Sequence, residues 1–292
     1  MNGTSTAHAA ITIVNALPTG VGCALGISLE TTARVSLEAL GPGAPSLFEV
    51  DGPADSPLVR ESLREALASA SPGAGYRAVV GLSSEIPPSR GLKSSSAVAS
   101  AVAGATYRAL GRTVPALELA RLSARVGRRV GVSATGAFDD ALAGLTSGFL
   151  ITDNREDALL RAAPVDPSLR VALLIPPSVH SPSPDWKAAF ERRAAESHEA
   201  IGHAAEGRWG AACERNSVLV EEVMGYDYRD LRKRLRDRGA IACGVSGLGP
   251  TLAALVAADH AEDVLAELPA GLGERRLVPV ASGDPLAPRE EP

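Results

Sequence analysis

The sequence predicts a soluble two-domain protein that mixes strands and helices, and three observations lead to that reading. The chain has 292 residues, about twice the size of an ordinary domain. Short β-branched runs alternate with segments of helical periodicity along its length. The composition changes near residues 150–165, from small residues and loops to long charged helices, so the boundary is expected at about residue 160, giving domains 1–160 and 161–292. Apolar residues make up 45% and charged residues 22%, enough for a packed core and too apolar for a disordered chain. Aromatics are only 3%, so Ala, Val, Leu and Ile must build that core.

The elements follow in order. Residues 10–17 (AITIVNAL) read as a buried strand and 19–26 (TGVGCALG) as a glycine-rich turn. Residues 31–39 alternate as a second strand, and a proline- and glycine-rich connection follows, with a short strand at 47–50. Ser56-Pro57 is an N-cap with proline at the first helical position, opening a helix through Ala70. Residues 76–83 form another strand. Ser94–Ser96 open a helix whose face is Val98, Ala101, Val102, Ala105 and Ala109, small enough for close packing on a sheet. Pro115 starts a further helix, and 131–148 reads as a loop carrying two adjacent aspartates. Residues 170–175 are a strand, and a proline-rich connection with His180 leads to one long helix over about 183–206. Helices at 209–224 and 228–238, strands at 240–246 and 251–257, a helix at 260–268 and a strand at 275–280 complete the chain before a proline-containing tail.

Several function classes are excluded at this level. A net charge of −5 without a basic stripe excludes nucleic acid as the expected partner. No run of 18 apolar residues and no signal-type N-terminus are present, so neither membrane nor secretion is expected and the location is read as cytoplasmic. Cys23, Cys213 and Cys243 lack CxxC spacing, which argues for buried thiols rather than a disulfide framework or zinc site. His198 and His203 lie about 140° apart around a helix, too far apart to share a metal.

Residues 91–97 carry the strongest chemical signal. A glycine loop followed by hydroxyls at a helix N-terminus offers unpaired N–H groups and the positive end of a helix dipole, which suits an anion. Lys93 adds a compact charge there, in a chain whose 29 basic residues include only Lys93, Lys187 and Lys233 as lysines. Local chemistry leaves two readings open, a phosphate site or a plainly capped helix. Asp139 and Asp140 read either as a turn or as a carboxylate placed to take a hydroxyl proton. Asn15 and Thr19, at the end of the first strand, suit either hydroxyl recognition or turn chemistry.

Residues 86–97 (IPPSRGLKSSSA) resemble the ATP-binding motif of the GHMP kinases, whose usual core is P-x-x-x-G-L-G-S-S-A. Lys93 stands at the third glycine and Ser96 at the first alanine of that core. The GLKSSSA form, with 11–27 (ITIVNALPTGVGCALGI) and 134–144 (ATGAFDDALAG), is similar to the archaeal-type shikimate kinases within that superfamily. Residues 246–250 (SGLGP) match its C-terminal glycine-rich turn.

The resemblance implies an α+β, two-domain GHMP kinase fold, with an N-terminal domain like the second domain of ribosomal protein S5 and a ferredoxin-like C-terminal domain. It implies transfer of the ATP γ-phosphate to the 3-hydroxyl of shikimate, in aromatic amino-acid biosynthesis. ATP would lie on Pro87, Pro88, Ser89, Arg90, Gly91, Leu92, Lys93, Ser94, Ser95, Ser96, Gly247 and Gly249. Asp139 and Lys93 would be catalytic, Lys93 supplying a cation that residues 1–33 lack; Asn15, Thr19 and Asp139 would meet the acceptor; and Ser95 would hold Mg²⁺. Arg128 occupies the position where some relatives carry a metal-binding Glu, so that ligand does not carry over. The alternatives are another kinase of the superfamily (for homoserine, mevalonate or pantoate), a diphosphomevalonate-type decarboxylase, or a non-catalytic sensor. A homodimer is left open.

Overall fold

The computed structural model describes residues 1–177 and 183–281. His180 and the tail after residue 281 lie outside the described residues. The chain begins with a long antiparallel hairpin, β1 (Asn2–Val14) and β2 (Val21–Pro42). Then come β3 (Leu47–Val50), α1 (Pro57–Ala70), β4 (Ala74–Ser84), α2 (Ser94–Ala109), α3 (Ala116–Arg129), α4 (Phe138–Ala143), β5 (Phe149–Asp153) and β6 (Ala158–Ala163). These strands form one mixed sheet in the order β3-β4-β2-β5-β6, with β1 also paired to β2 and β3 parallel to β4. The remainder is β7 (Arg170–Ile175), α5 (Trp186–Glu191), α6 (Ala194–Ala205), α7 (Trp209–Met224), α8 (Arg229–Asp237), β8 (Ala240–Val245), β9 (Leu252–Val256), α9 (Ala261–Glu267) and β10 (Glu274–Pro279). Its four strands make an antiparallel sheet in the order β10-β7-β9-β8.

Alternation across β7 explains its unbroken apolar run. Val171, Leu173 and Ile175 join the largest core, which continues into the first sheet, while Ala172 and Leu174 join a second core with Leu219, Leu235 and Val264. A strand buried on both faces needs no polar alternation. The alanine-rich α2 is buried on several sides: Ala97, Ala101 and Ala105 face β1 and β2, and Ala99, Ala103 and Tyr107 face α1 and α3. Its serine-bearing first turn is held at one end of this packed helix. Ser56 accepts a hydrogen bond from the Val59 N–H, with Pro57 at the first helical position, as the sequence predicts.

Three local expectations are corrected. Residues 21–26 are not a turn but the start of β2, and β1 begins at Asn2. The glycines there answer a tertiary demand: a Cβ at Gly22 would collide with the Asp139 Oδ2, and one at Gly26 with the Ala143 carbonyl, so β2 is bare where α4 presses on it. The 131–148 segment is not all loop but contains α4. The single helix expected over 183–206 is two, α5 and α6. No helix among the described residues is long and apolar enough to cross a membrane.

Candidate active site

A cavity of about 580 Å³ opens where the two sheets meet, within the rough 300–1,000 Å³ range of small-molecule sites. One wall is the loop entering α2, with Pro88 to Gly91, Lys93 and Ser94 to Ser96. The β8–β9 turn adds Gly247, Leu248 and Gly249, and the end of β1 adds Thr12 and Asn15. Residues 131–137, Asp139 and Asp140 form the facing wall, and Trp186, Lys187, Met224 and Tyr226 close the C-terminal side.

The α2 loop is fixed from behind. The Ser246 hydroxyl donates to the Gly91 carbonyl at 2.7 Å and accepts from the Thr12 N–H, while the Gly247 N–H donates to the Thr12 hydroxyl at 3.0 Å. A Cβ on Gly91 would strike the Ser246 carbonyl, and its φ of 77° is one that glycine takes without strain. The Arg90 guanidinium donates to the Pro177 carbonyl and so spans to the other half of the chain. The Ala97 N–H bonds the Lys93 carbonyl as the first closed turn of α2, leaving the earlier N–H groups for an anion. Ser95 is exposed in the cavity and Ser96 is buried.

Lys93 itself, rather than a serine, is the residue before α2. It adopts left-handed φ of 66° and ψ of 30°, and its Nζ lies 3.0 Å from the Asp140 Oδ1, with both side chains only 12% exposed. Burial, together with the neighbouring Asp139 charge, pushes the Asp140 carboxyl up to about 7, against the pull of Lys93. The folded protein therefore binds this proton more tightly than the unfolded chain. The stability tied to it is fully present below the ordinary value of 3.8 and is lost as pH rises through about 7. Asp140→Asn removes that dependence. Its melting temperature relative to wild type is expected to rise between pH 5 and pH 8, measured by thermal unfolding in buffers of matched ionic strength.

Asp139 lies in the first turn of α4, 5% exposed, and lines the cavity. Its N–H donates to the Asn154 Oδ1 at 3.1 Å and its Oδ1 accepts from the Asn154 Nδ2 at 2.7 Å. Its Oδ2 lies over Gly22. Gly22→Ala is expected to displace this carboxylate and lower kcat by about 10²-fold, the cost of a misplacement near 1 Å; steady-state assay beside thermal unfolding separates that loss from destabilisation. Arg128 does not line the cavity: its guanidinium pairs with both oxygens of Asp157 and donates to the Thr135 and Asn154 carbonyls.

The structure thus gathers Pro88, Ser89, Arg90, Gly91, Lys93, Ser94, Ser95, Ser96, Asn15, Asp139, Gly247 and Gly249 around one cavity. It leaves out three residues that the sequence assigned there. Leu92 is fully buried in the core and Pro87 does not line the cavity. Thr19 is spent on its own turn, accepting from the Val21 N–H at 3.2 Å. Asn15 lines the cavity, but its amide bonds the Gly247 carbonyl at 3.1 Å and the Leu17 N–H at 3.0 Å. Sequence reasoning missed Trp186, Lys187, Tyr226 and residues 131–133, and had residues 134–137 only as part of the aspartate motif. The one signal it offered for Lys187 was rarity, for two of the three lysines meet at this cavity.

Two family models match in order, the GHMP kinases N-terminal domain over residues 58–148 and the GHMP kinases C-terminal domain over 194–273. A protein of Methanosarcina acetivorans named shikimate kinase is 35% identical over 263 residues, 90% of this chain and 87% of its own. The chain belongs to the GHMP kinase family. A shikimate kinase of Pyrococcus abyssi is 34% identical over 91% of this chain and 94% of its own length. Among solved structures, the homoserine kinase of Cytophaga hutchinsonii aligns with a TM-score of 0.72 at 18% identity, covering 98% of this chain and 96% of its own. The Methanococcus jannaschii mevalonate kinase aligns at 0.71 and 13% identity, covering 97% and 98%. These two likenesses establish the two-domain GHMP kinase fold, and membership of the kinase family brings ATP as phosphoryl donor.

Proposed function

We propose that this chain transfers the γ-phosphate of ATP to the 3-hydroxyl of shikimate. One observation carries the reading: an anion-binding helix start and a buried carboxylate line the same cavity, in a chain that parallels proteins named shikimate kinase over nearly its whole length. The phosphates of ATP would lie against the first turn of α2 and the Gly247–Gly249 turn. Leu58 and Ala99 offer an apolar flank for the base. Asp139 would accept the hydroxyl proton as the oxygen attacks phosphorus. Lys93 would balance the charge that gathers on the transferring group, and Arg90 or Lys187 would meet the shikimate carboxylate. The division near residue 160 belongs to the same proposal, with the ATP loop in the first part and Lys187 in the second.

Mg²⁺ is part of the proposal. Among the described residues lining the cavity, none is His or Cys, and the exposed Ser95 hydroxyl offers the oxygen donor that a hard cation prefers. No cluster of three or more His, Cys, Asp or Glu residues is found among the described residues, which suits a cation held largely by nucleotide phosphates. Such a cation would supply charge neutralisation at the phosphoryl group.

The test is ADP release from Mg²⁺ and ATP with shikimate, homoserine, mevalonate and pantoate offered separately. Turnover with shikimate alone, with shikimate 3-phosphate as product, is expected. Turnover with a different acceptor instead would keep the kinase chemistry and overturn the assigned substrate.

A further inference from the structure

We infer that Asn154 is the positioning residue for the Asp139 carboxylate, a role resting on the phosphoryl-transfer reading above. Asn154 follows β5, is 1% exposed and does not line the cavity. Its side chain grips Asp139 twice, accepting from the backbone N–H and donating to Oδ1. The orientation of the amide is settled by chemistry. A backbone N–H can only donate, so the atom facing it is the amide oxygen, and the Thr152 hydroxyl also donates to that oxygen at 2.9 Å. The NH₂ group must then face the carboxylate.

Asn154 is itself held. Its N–H donates to the Gly20 carbonyl at 2.8 Å, its Nδ2 reaches the Thr135 hydroxyl at 3.4 Å, and its carbonyl accepts from Arg128. A buried amide with every polar atom engaged has one rotamer. It passes that rigidity to Asp139, whose carboxylate is fixed between the Asn154 amide and the bare backbone of Gly22. The hydrogen bond supplies orientation while Asn154 touches neither nucleotide nor acceptor.

The test compares Asn154→Ala and Asn154→Asp with wild type, alone and in an Asp139→Asn background. Asn154→Ala is expected to lower kcat by about 10²-fold, the scale of a misplaced reacting group, with KM for ATP within about twofold. In the Asp139→Asn background it should cost nothing more, because the group it orients is already gone. Asn154→Asp keeps the acceptor oxygen and the shape, and covers the case in which the alanine variant does not fold. It should lose kcat similarly, whereas Asp139→Asn/Asn154→Asp re-forms the bond with donor and acceptor exchanged and should regain melting temperature without regaining turnover. Wild-type kcat in Asn154→Asp, or a loss additive with Asp139→Asn, would overturn the inference. Turnover of the wild type with another acceptor would sink the shikimate assignment alone, and the same comparison then runs with that acceptor. Should no acceptor turn over, a crystal structure of Asn154→Ala decides: an Asp139 side chain in a new rotamer is expected, and one left in place refutes the role.

Discussion

Asp139→Asn is expected to lower kcat by about 10²–10⁴-fold, the contribution of a positioned general base, while ATP binding stays close to wild type. The argument is geometric. Asp139 and Asp140 are the two carboxylates among the described residues lining the cavity, and they differ in partner. Asp140 is committed to Lys93 at 3.0 Å, and burial beside Asp139 holds its proton up to about 7. Asp139 faces no cation at that distance among the ion pairs of the described residues, and its one side-chain donor is a neutral amide. A carboxylate that faces no cation is open to an incoming hydroxyl, whereas Asp140 already faces the Lys93 ammonium. The Asn substitution preserves shape and can still accept from Asn154 after an amide flip, so little stability should be lost. Single-turnover kinetics with an isotherm for ATP would read both quantities. A variant that keeps wild-type turnover, with Asp140→Asn abolishing it instead, would exchange the roles of the two aspartates.

The parts of this site legible in the sequence are those written locally. Glycine, lysine and three serines at the mouth of a small-residue helix state their chemistry within seven residues, and the structure places that segment at a helix start facing a cavity. Adjacent aspartates after a glycine were similarly visible. What could not be read was the reason for a residue supplied by a distant element. Gly22 and Gly26 carried the signature of a turn, yet they are glycines because α4 crosses β2 there, a demand no local pattern encodes. Asn154 was not singled out, and neither was the strand it follows. Its meaning depends on β5 returning beside β2 so that residue 154 meets residue 139. Thr19 shows the reverse failure: a hydroxyl beside a glycine suited substrate recognition, but the turn consumed it. The unbroken apolar run of β7 made its core position readable in type, though not the two separate cores its faces serve.

Lys93→Gly should separate function from stability more cleanly than any other single change. Lys93 holds φ of 66°, one of four non-glycine residues with positive φ among those described. For a residue with a Cβ, this left-handed conformation costs on the order of 1–2 kcal/mol, and glycine takes it freely. Stability alone would therefore favour glycine at the mouth of α2, and the strain is retained for the side chain. That side chain reaches across the cavity to Asp140 and past Gly247, where an added Cβ would come 3.1 Å from its Nζ. The ammonium thus stands between the helix start that suits phosphate and the Asp140 carboxylate. Removing it takes away charge stabilisation that matters most as negative charge gathers in transit, so kcat is expected to fall by about 10²–10³-fold. At pH 6, where Asp140 keeps its proton and needs no cation, the folded state loses its strained dihedral without stranding a buried charge, so the melting temperature should hold or rise there. Lys93→Met, which keeps the strain and removes the charge, should show the same loss of kcat without the gain in stability. A Lys93→Gly variant that melts lower and turns over normally would make Lys93 a structural strut. Loss of kcat at undiminished stability would mark it as a residue kept in a strained place for its charge.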